Sequence, residues 1–235
     1  MRLPVIMLLA CLACAAWAAE TLNGGETYQT KATADLNGDG TAETITLAWK
    51  KEQKTYTLQV GTLKSVGNVE YREVQGFRIV DLDSSARGKE LVVYSAIANE
   101  QVFQFYRYTG KTLILLGEFA QEVTIPGAGF IYTKYWCGFW NRLDKYILNH
   151  KSSRLELVPQ PFNYVGVEGT VLRSLPIYAT QAKKTVVAHL QPKSTVMILL
   201  NHGDWYLIKS ATGLTGWLPE KDITPENFDN LPWGG

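Results

Sequence analysis

Cysteine is scarce. The 235-residue chain has three, and Cys11 and Cys14 fall in an N-terminal stretch expected to be removed. A chain left with Cys137 alone forms no internal disulfide, so its stability must come from core burial and from bound metal. Neither sign of charge is in excess. Lys and Arg number 23 against 22 Asp and Glu, a net charge of +1. That balance argues against a nucleic-acid binder, whose affinity rests largely on clustered cations facing phosphate. Long apolar runs and helical i, i+3, i+4 stripes are missing after the N-terminus, which speaks against spanning helices and helical bundles. No Gly-rich phosphate loop precedes a helix, and no pair of Cys or His has zinc spacing. Nucleophilic catalysis finds little footing. The three His (His150, His189 and His202) sit in turns or polar strands, and a Cys137–His150 pair has no activating residues beside it. Cys137, between Trp136 and Gly138, reads more simply as a small buried hydrophobe.

What is present is the composition of a folded β protein. Apolar residues reach 46% and charged ones 19%, which excludes wholesale disorder. The first residues carry one positive charge (Arg2), a short apolar run and then small residues, the pattern of a secretory signal peptide. Ala16-Trp17-Ala18 fits the cleavage rule, which makes 1–18 the leader. Leu8-Leu9-Ala10-Cys11 also resembles a bacterial lipoprotein box, and a lipid anchor at Cys11 is the alternative to plain cleavage. Either route takes the mature chain out of the cytoplasm, to the periplasm, the cell surface or the medium.

From 19 to 160 the chain reads as strand after strand. Thr44-Ile45-Thr46-Leu47-Ala48-Trp49 and Thr55-Tyr56-Thr57-Leu58-Gln59-Val60 alternate around a polar turn at 50–54, which predicts a hairpin. A second group covers 90–94, 102–108 and 113–116, with Thr109-Gly110-Lys111 as a tight turn. Ala34-Asp35-Leu36 recurs as Val80-Asp81-Leu82, each followed by a polar loop, an acidic residue and an apolar strand. A third unit without the acidic loop is expected from about Ile125 through Leu148. Three units of this length suit blade-like hairpins but fall short of a closed propeller. Two prolines at 159–161 mark a boundary. Beyond it 164–225 holds five short strands (171–178, 186–190, 196–200, 205–209 and 216–219), a size for a small barrel that folds alone. The tail 226–235 is polar and expected to be poorly ordered, with Trp233 as the exception. The fold class is therefore all-β: a blade-like sheet domain followed by a small barrel.

The chemistry concentrates in two places. Asp35, Asn37 and Asp39 can aim side-chain oxygens at one point, Thr41 can offer its carbonyl, and Glu43 closes a set suited to calcium. Gly38 and Gly40 permit the positive φ angles that such a curl needs. The plainer alternative is an acidic turn, since Asn-Gly and Asp-Gly favour turns without metal. In the C-terminal unit Trp205, Tyr206 and Trp217 are candidates for a groove that takes a peptide or a cell-wall fragment, against a role as core caps. Phe130, Tyr132, Tyr135, Trp136, Phe139, Trp140 and Tyr146 form a dense aromatic run that reads as core filling, as a seam between the units, or as a stacking surface.

Two resemblances follow from these residues. Leu190-Gln191-Pro192-Lys193-Ser194-Thr195-Val196, then Gly203-Asp204-Trp205-Tyr206-Leu207-Ile208 and Gly216-Trp217-Leu218, make 164–225 resemble the bacterial SH3-like domains of secreted and cell-wall proteins. Its start, Val171-Leu172-Arg173-Ser174-Leu175-Pro176, keeps Arg, Ser and Pro but lacks the Asn and Gly of many members. The loop Asp35-Leu36-Asn37-Gly38-Asp39-Gly40-Thr41-Ala42-Glu43 resembles the FG-GAP or VCBS repeats of extracellular calcium-binding β proteins. The second copy, 81–90, departs from it, and Arg87 or Lys89 could stand in for a cation there. Together these imply an exported, non-enzymatic envelope binder with structural Ca2+ and an SH3-like module for peptidoglycan, peptide or an envelope protein. The alternatives are a cell-wall hydrolase or its regulator, and a structural component of an envelope complex.

Overall fold

The computed structural model describes residues 19–234 apart from Gln121. The leader 1–18 and Cys11 lie outside the described residues. Among the described residues the structure is all-β, with two short 3₁₀ turns, Lys51–Gln53 and Glu220–Asp222, between the strands. Among the described residues no helix is long and apolar enough to cross a membrane.

Strand β1 (Glu20–Leu22) comes first. Three antiparallel meanders follow: β2 (Lys31–Ala34), β3 (Glu43–Lys50), β4 (Thr55–Val60) and β5 (Leu63–Asn68); then β6 (Glu73–Val80), β7 (Glu90–Ile97), β8 (Glu100–Tyr108) and β9 (Leu113–Ala120); then β10 (Val123–Ile125), β11 (Phe130–Trp136), β12 (Asn141–Asn149) and β13 (Arg154–Leu157). β1 joins the third sheet on the outer side of β10, with Glu20 opposite Ile125 and Leu22 opposite Val123. The expected hairpin is β3–β4, and the second strand group is β7–β9.

The three sheets stack with the second in the middle. Its β7 sequence, Glu90-Leu91-Val92-Val93-Tyr94, is apolar at successive positions because both of its faces are covered. Leu91 and Val93 pack with Ile45, Tyr56 and Leu58 of the first sheet. Val92 and Tyr94 pack with Leu22, Val123 and Ile131 of the third. Each such side chain contributes about 1.5–3 kcal/mol on burial. The core between the first two sheets also holds a polar chain. The Tyr56 hydroxyl contacts Gln104 Oε1 at 2.5 Å and the Tyr106 hydroxyl at 2.7 Å, and Gln104 Nε2 donates to Glu118 at 2.6 Å. Those bonds satisfy groups that would otherwise be buried without partners.

The C-terminal unit has seven strands rather than five: β14 (Asn163–Val171), β15 (Leu175–Tyr178), β16 (Val186–Leu190), β17 (Thr195–His202), β18 (Trp205–Lys209), β19 (Thr215–Pro219) and β20 (Phe228–Asp229). Their order is β16-β15-β19-β18-β17-β14-β20, which is open, so the expected closed barrel is corrected to a sheet curled around its own core. The strand expected over 171–178 breaks at 172–174. Its first part pairs with β17 and β20 and its second with β16 and β19. The tail is corrected as well. β20 pairs with β14, and Phe228 and Leu231 are buried in the same core as Val171, Ile198 and Tyr206. That core also takes Phe139 and Trp140, 3% and 4% exposed, from the turn between β11 and β12. The C-terminal core is thus not self-contained within 164–225.

Candidate functional site

The Asp35 loop joins β2 to β3. Gly38 (φ 75°) and Gly40 (φ 89°) supply the left-handed curl, and a Cβ on Gly38 would lie 2.5 Å from that of Arg87. The curl turns backbone amides toward Asp35, whose Oδ1 accepts from Gly38 (2.8 Å) and Asp39 (3.2 Å) and whose Oδ2 accepts from Gly40 (2.8 Å). Asn37 Nδ2 donates to Asp39 Oδ2 at 2.9 Å, and the Thr41 amide donates to Asp39 Oδ1 at 2.8 Å. These bonds, the Asn37 side chain first, hold the exposed Asp39 carboxyl below its ordinary pKa. Glu43 Oε2 accepts from the Leu36 amide at 2.9 Å. Carboxylate oxygens of Asp35, Asp39 and Glu43 all lie within 4.8 Å of one another. Of the five residues expected as metal ligands, these three converge. The Asn37 amide is turned to Asp39, and Thr41 is exposed at the rim. Convergent hard oxygens are what a Ca2+ ion takes, and the loop's own amides already satisfy much of the charge.

The second loop is built on the same plan. Leu82, buried like Leu36, donates its amide to Glu90 Oε2 at 3.1 Å. The cation here is neither Arg87 nor Lys89. It is Arg107 from β8, whose Nε lies 2.9 Å from Glu90 Oε1 and whose Nη2 also contacts that oxygen. Burial pushes the Glu90 carboxyl above its ordinary pKa, and the Arg107 pairing offsets only part of that. Successive loops are also stitched together. The Lys89 amide donates to Leu36 O (2.8 Å) and the Gly129 amide to Leu82 O (2.8 Å). Arg107 was missed in the sequence because it lies far along the chain and meets Glu90 only through the β7–β8 register.

In the C-terminal sheet the three candidates part company. Tyr206 is 1% exposed and its hydroxyl accepts from Trp140 Nε1 at 3.1 Å, so it is a core residue. Trp205 and Trp217 are half-buried on the opposite face, where Trp205 pairs with His202, and Trp217 with Leu207 and Tyr178. A groove of about 420 Å³ lies there, lined by Phe162, Gln181, His202 and Trp217 among others. Gln181 Nε2 and His202 Nδ1 are 2.8 Å apart. The His202 ring sits 5.3 Å from Phe162 and 6.2 Å from Trp217. Lys183 Nζ stands 5.3 Å from the Trp205 ring and 5.8 Å from that of Tyr178. Aromatic faces with an amide, an imidazole and an ammonium beside them can stack on and hydrogen-bond an extended ligand.

The aromatic run divides. Phe139 and Trp140 enter the C-terminal core, Tyr146 packs on the core between the second and third sheets, and Tyr135 and Trp136 are exposed. The Cys137 thiol is raised in pKa by burial, which disfavours the thiolate that nucleophilic chemistry requires. Comparison of the chain with protein families, with curated proteins and with solved structures finds no match.

Proposed function

We propose that this is an exported, non-enzymatic binding protein of the cell envelope. In this reading the three stacked sheets are blade-like units of the FG-GAP or VCBS kind, with a structural Ca2+ held by Asp35, Asp39 and Glu43. The curled C-terminal sheet is an SH3-like module whose Trp217 groove takes peptidoglycan or an envelope peptide. The observation that carries it is the outward face of that sheet, where Trp205, Trp217, Tyr178 and Phe162 are held half-open rather than spent in the core. Core aromatics are available a residue away, at Tyr206, so the outward ones are not needed for stability.

The test is retention of the purified protein on wall sacculi, with Trp217→Ala beside it. Retention without soluble fragments, reduced about 30-fold in the variant as for a central aromatic contact, supports the reading. Release of soluble fragments would make the protein a hydrolase. Neither retention nor release would point to a structural protein partner instead.

A further inference from the structure

A cavity lies at the opposite end of the sheets from the Asp35 loop, between the link from β1 to β2, the start of β6 and the end of β7. It measures about 670 Å³ and is lined by Glu26, Tyr28, Tyr71, Glu73, Gln75 and Tyr94 among others. Tyr28 stacks on Tyr94 with ring centroids 4.5 Å apart, and Tyr94 stacks on Phe103 at 5.1 Å, so the wall is rigid down into the core. Tyr94 is 5% exposed. Its hydroxyl makes no hydrogen bond among the described residues, whereas that of Tyr28 donates to Asn23 O at 3.1 Å. The ring of Tyr94 is buried while its hydroxyl opens to the cavity, so the partner it lacks within the protein can be supplied by a bound ligand. Next to that hydroxyl, Gln101 Oε1 is shielded from solvent and has no donor. Gly24 makes room for both: a Cβ there would stand 2.7 Å from the Tyr94 hydroxyl oxygen and 3.7 Å from Gln101 Oε1.

The charged side chains on the lining itself are carboxylates. Glu26 is paired with Arg78 at 3.0 Å, and Arg78 also reaches Glu20 at 2.7 Å. Among the described residues Glu73 is paired with Lys51 alone, at 3.0 Å, and the two side chains are 52% and 70% exposed. An exposed pair of this kind is weak and exchanges readily. Glu100 accepts from the Tyr71 hydroxyl, and Glu70 lies 3.9 Å from Arg72. Of these carboxylates Glu26 and Glu73 line the cavity; together with Glu20, Glu70 and Glu100 behind it they outnumber the cations Arg78, Lys51 and Arg72 by five to three.

We propose that the cavity binds a cationic nitrogen ligand, one bearing a guanidinium or primary ammonium group. Such a group brings several N–H donors to the acceptors of the lining, at Glu73, Gln75 and Tyr94. Its charge answers the excess of carboxylates, and a cation is attracted to the tyrosine faces. Glu73 exchanges Lys51 for the ligand.

The test is calorimetric titration of the purified protein with agmatine at low salt, at about 0.5 M salt, and in the Tyr94→Phe variant. That substitution keeps the ring stack and removes no intramolecular hydrogen bond, so the fold is retained. Cellobiose serves as a neutral, hydroxyl-rich comparison. The expected result is saturable agmatine binding that weakens several-fold at the higher salt. Tyr94→Phe should weaken it about five-fold, the worth of one hydrogen bond. Absence of saturable agmatine binding overturns the proposal, as does binding indifferent to Tyr94→Phe. Binding of cellobiose in place of agmatine, insensitive to salt, would assign the cavity to neutral sugars and overturn it equally.

Discussion

Glu90 shows what one buried charge demands. It is 2% exposed, yet it accepts from the Leu82 amide and from Arg107. Removing one member of a buried pair typically costs about 3–5 kcal/mol because the other charge stays buried alone. Arg107→Ala is expected to destabilise the protein by that order, read from chemical denaturation. The pH sign follows from the raised carboxyl pKa. The stability linked to Glu90 is full below the ordinary glutamate value and is lost as pH rises through the higher folded-state value. The Arg107→Ala penalty should therefore shrink toward acid pH, where protonated Glu90 no longer needs a cation. A penalty that grows on acidification would contradict this account.

At the scale of elements, the turn between β11 and β12 and the strand β20 do work far from their neighbours in sequence. Trp140→Ala removes a buried indole and leaves the Tyr206 hydroxyl without its donor. The expected loss is about 3–5 kcal/mol, reported by faster proteolysis within the C-terminal sheet although the substitution lies outside it. The loop between β2 and β3 yields a separate prediction. If it holds calcium, ten times the Kd stabilises the fold by about 1.4 kcal/mol, a rise of a few degrees in Tm. Asp39→Ala should abolish that rise. Identical melts in chelator and in calcium would leave an acidic turn. Much of this was legible in the sequence. Thr44 to Val60 announces its hairpin by alternation, and the repeat of Asp35-Leu36 at Asp81-Leu82 marks two equivalent corners that share an amide-to-glutamate bond. The seam between the units was legible in the aromatic run that holds Trp140, whereas the break at 172–174 and the burial of Phe228 and Leu231 were not. Each depends on a partner distant in sequence, and local pattern carries no record of that. Tyr206 misled for a related reason: alternation separates it from Trp205 and Trp217, but which face is inward is decided by the rest of the sheet.

For the whole molecule the tyrosines set an alkaline limit. Burial raises the phenols of Tyr28, Tyr56, Tyr94, Tyr106 and Tyr146, and pushes that of Tyr206 up to about 12. Raised folded-state values mean that this stability is complete below the ordinary phenol value of about 10 and falls as pH climbs through the folded-state values. The share of the tyrosinate absorbance that belongs to these six phenols should thus appear in one cooperative step together with loss of the β-sheet circular dichroism. Appearance of the full absorbance with the sheets intact would show that these phenols are reachable by solvent. The position of β1 has a consequence for the order of assembly. Pairing Glu20 with Ile125 closes a loop that contains two complete sheets, and the entropy of that closure puts the docking of β1 after the sheets inside it have formed. β1, the first strand among the described residues, is then among the last to find its place. Until it does, the β10 edge and the pocket for Leu22 stay open, which makes the half-made chain a natural client for any chaperone that shields bare strand edges.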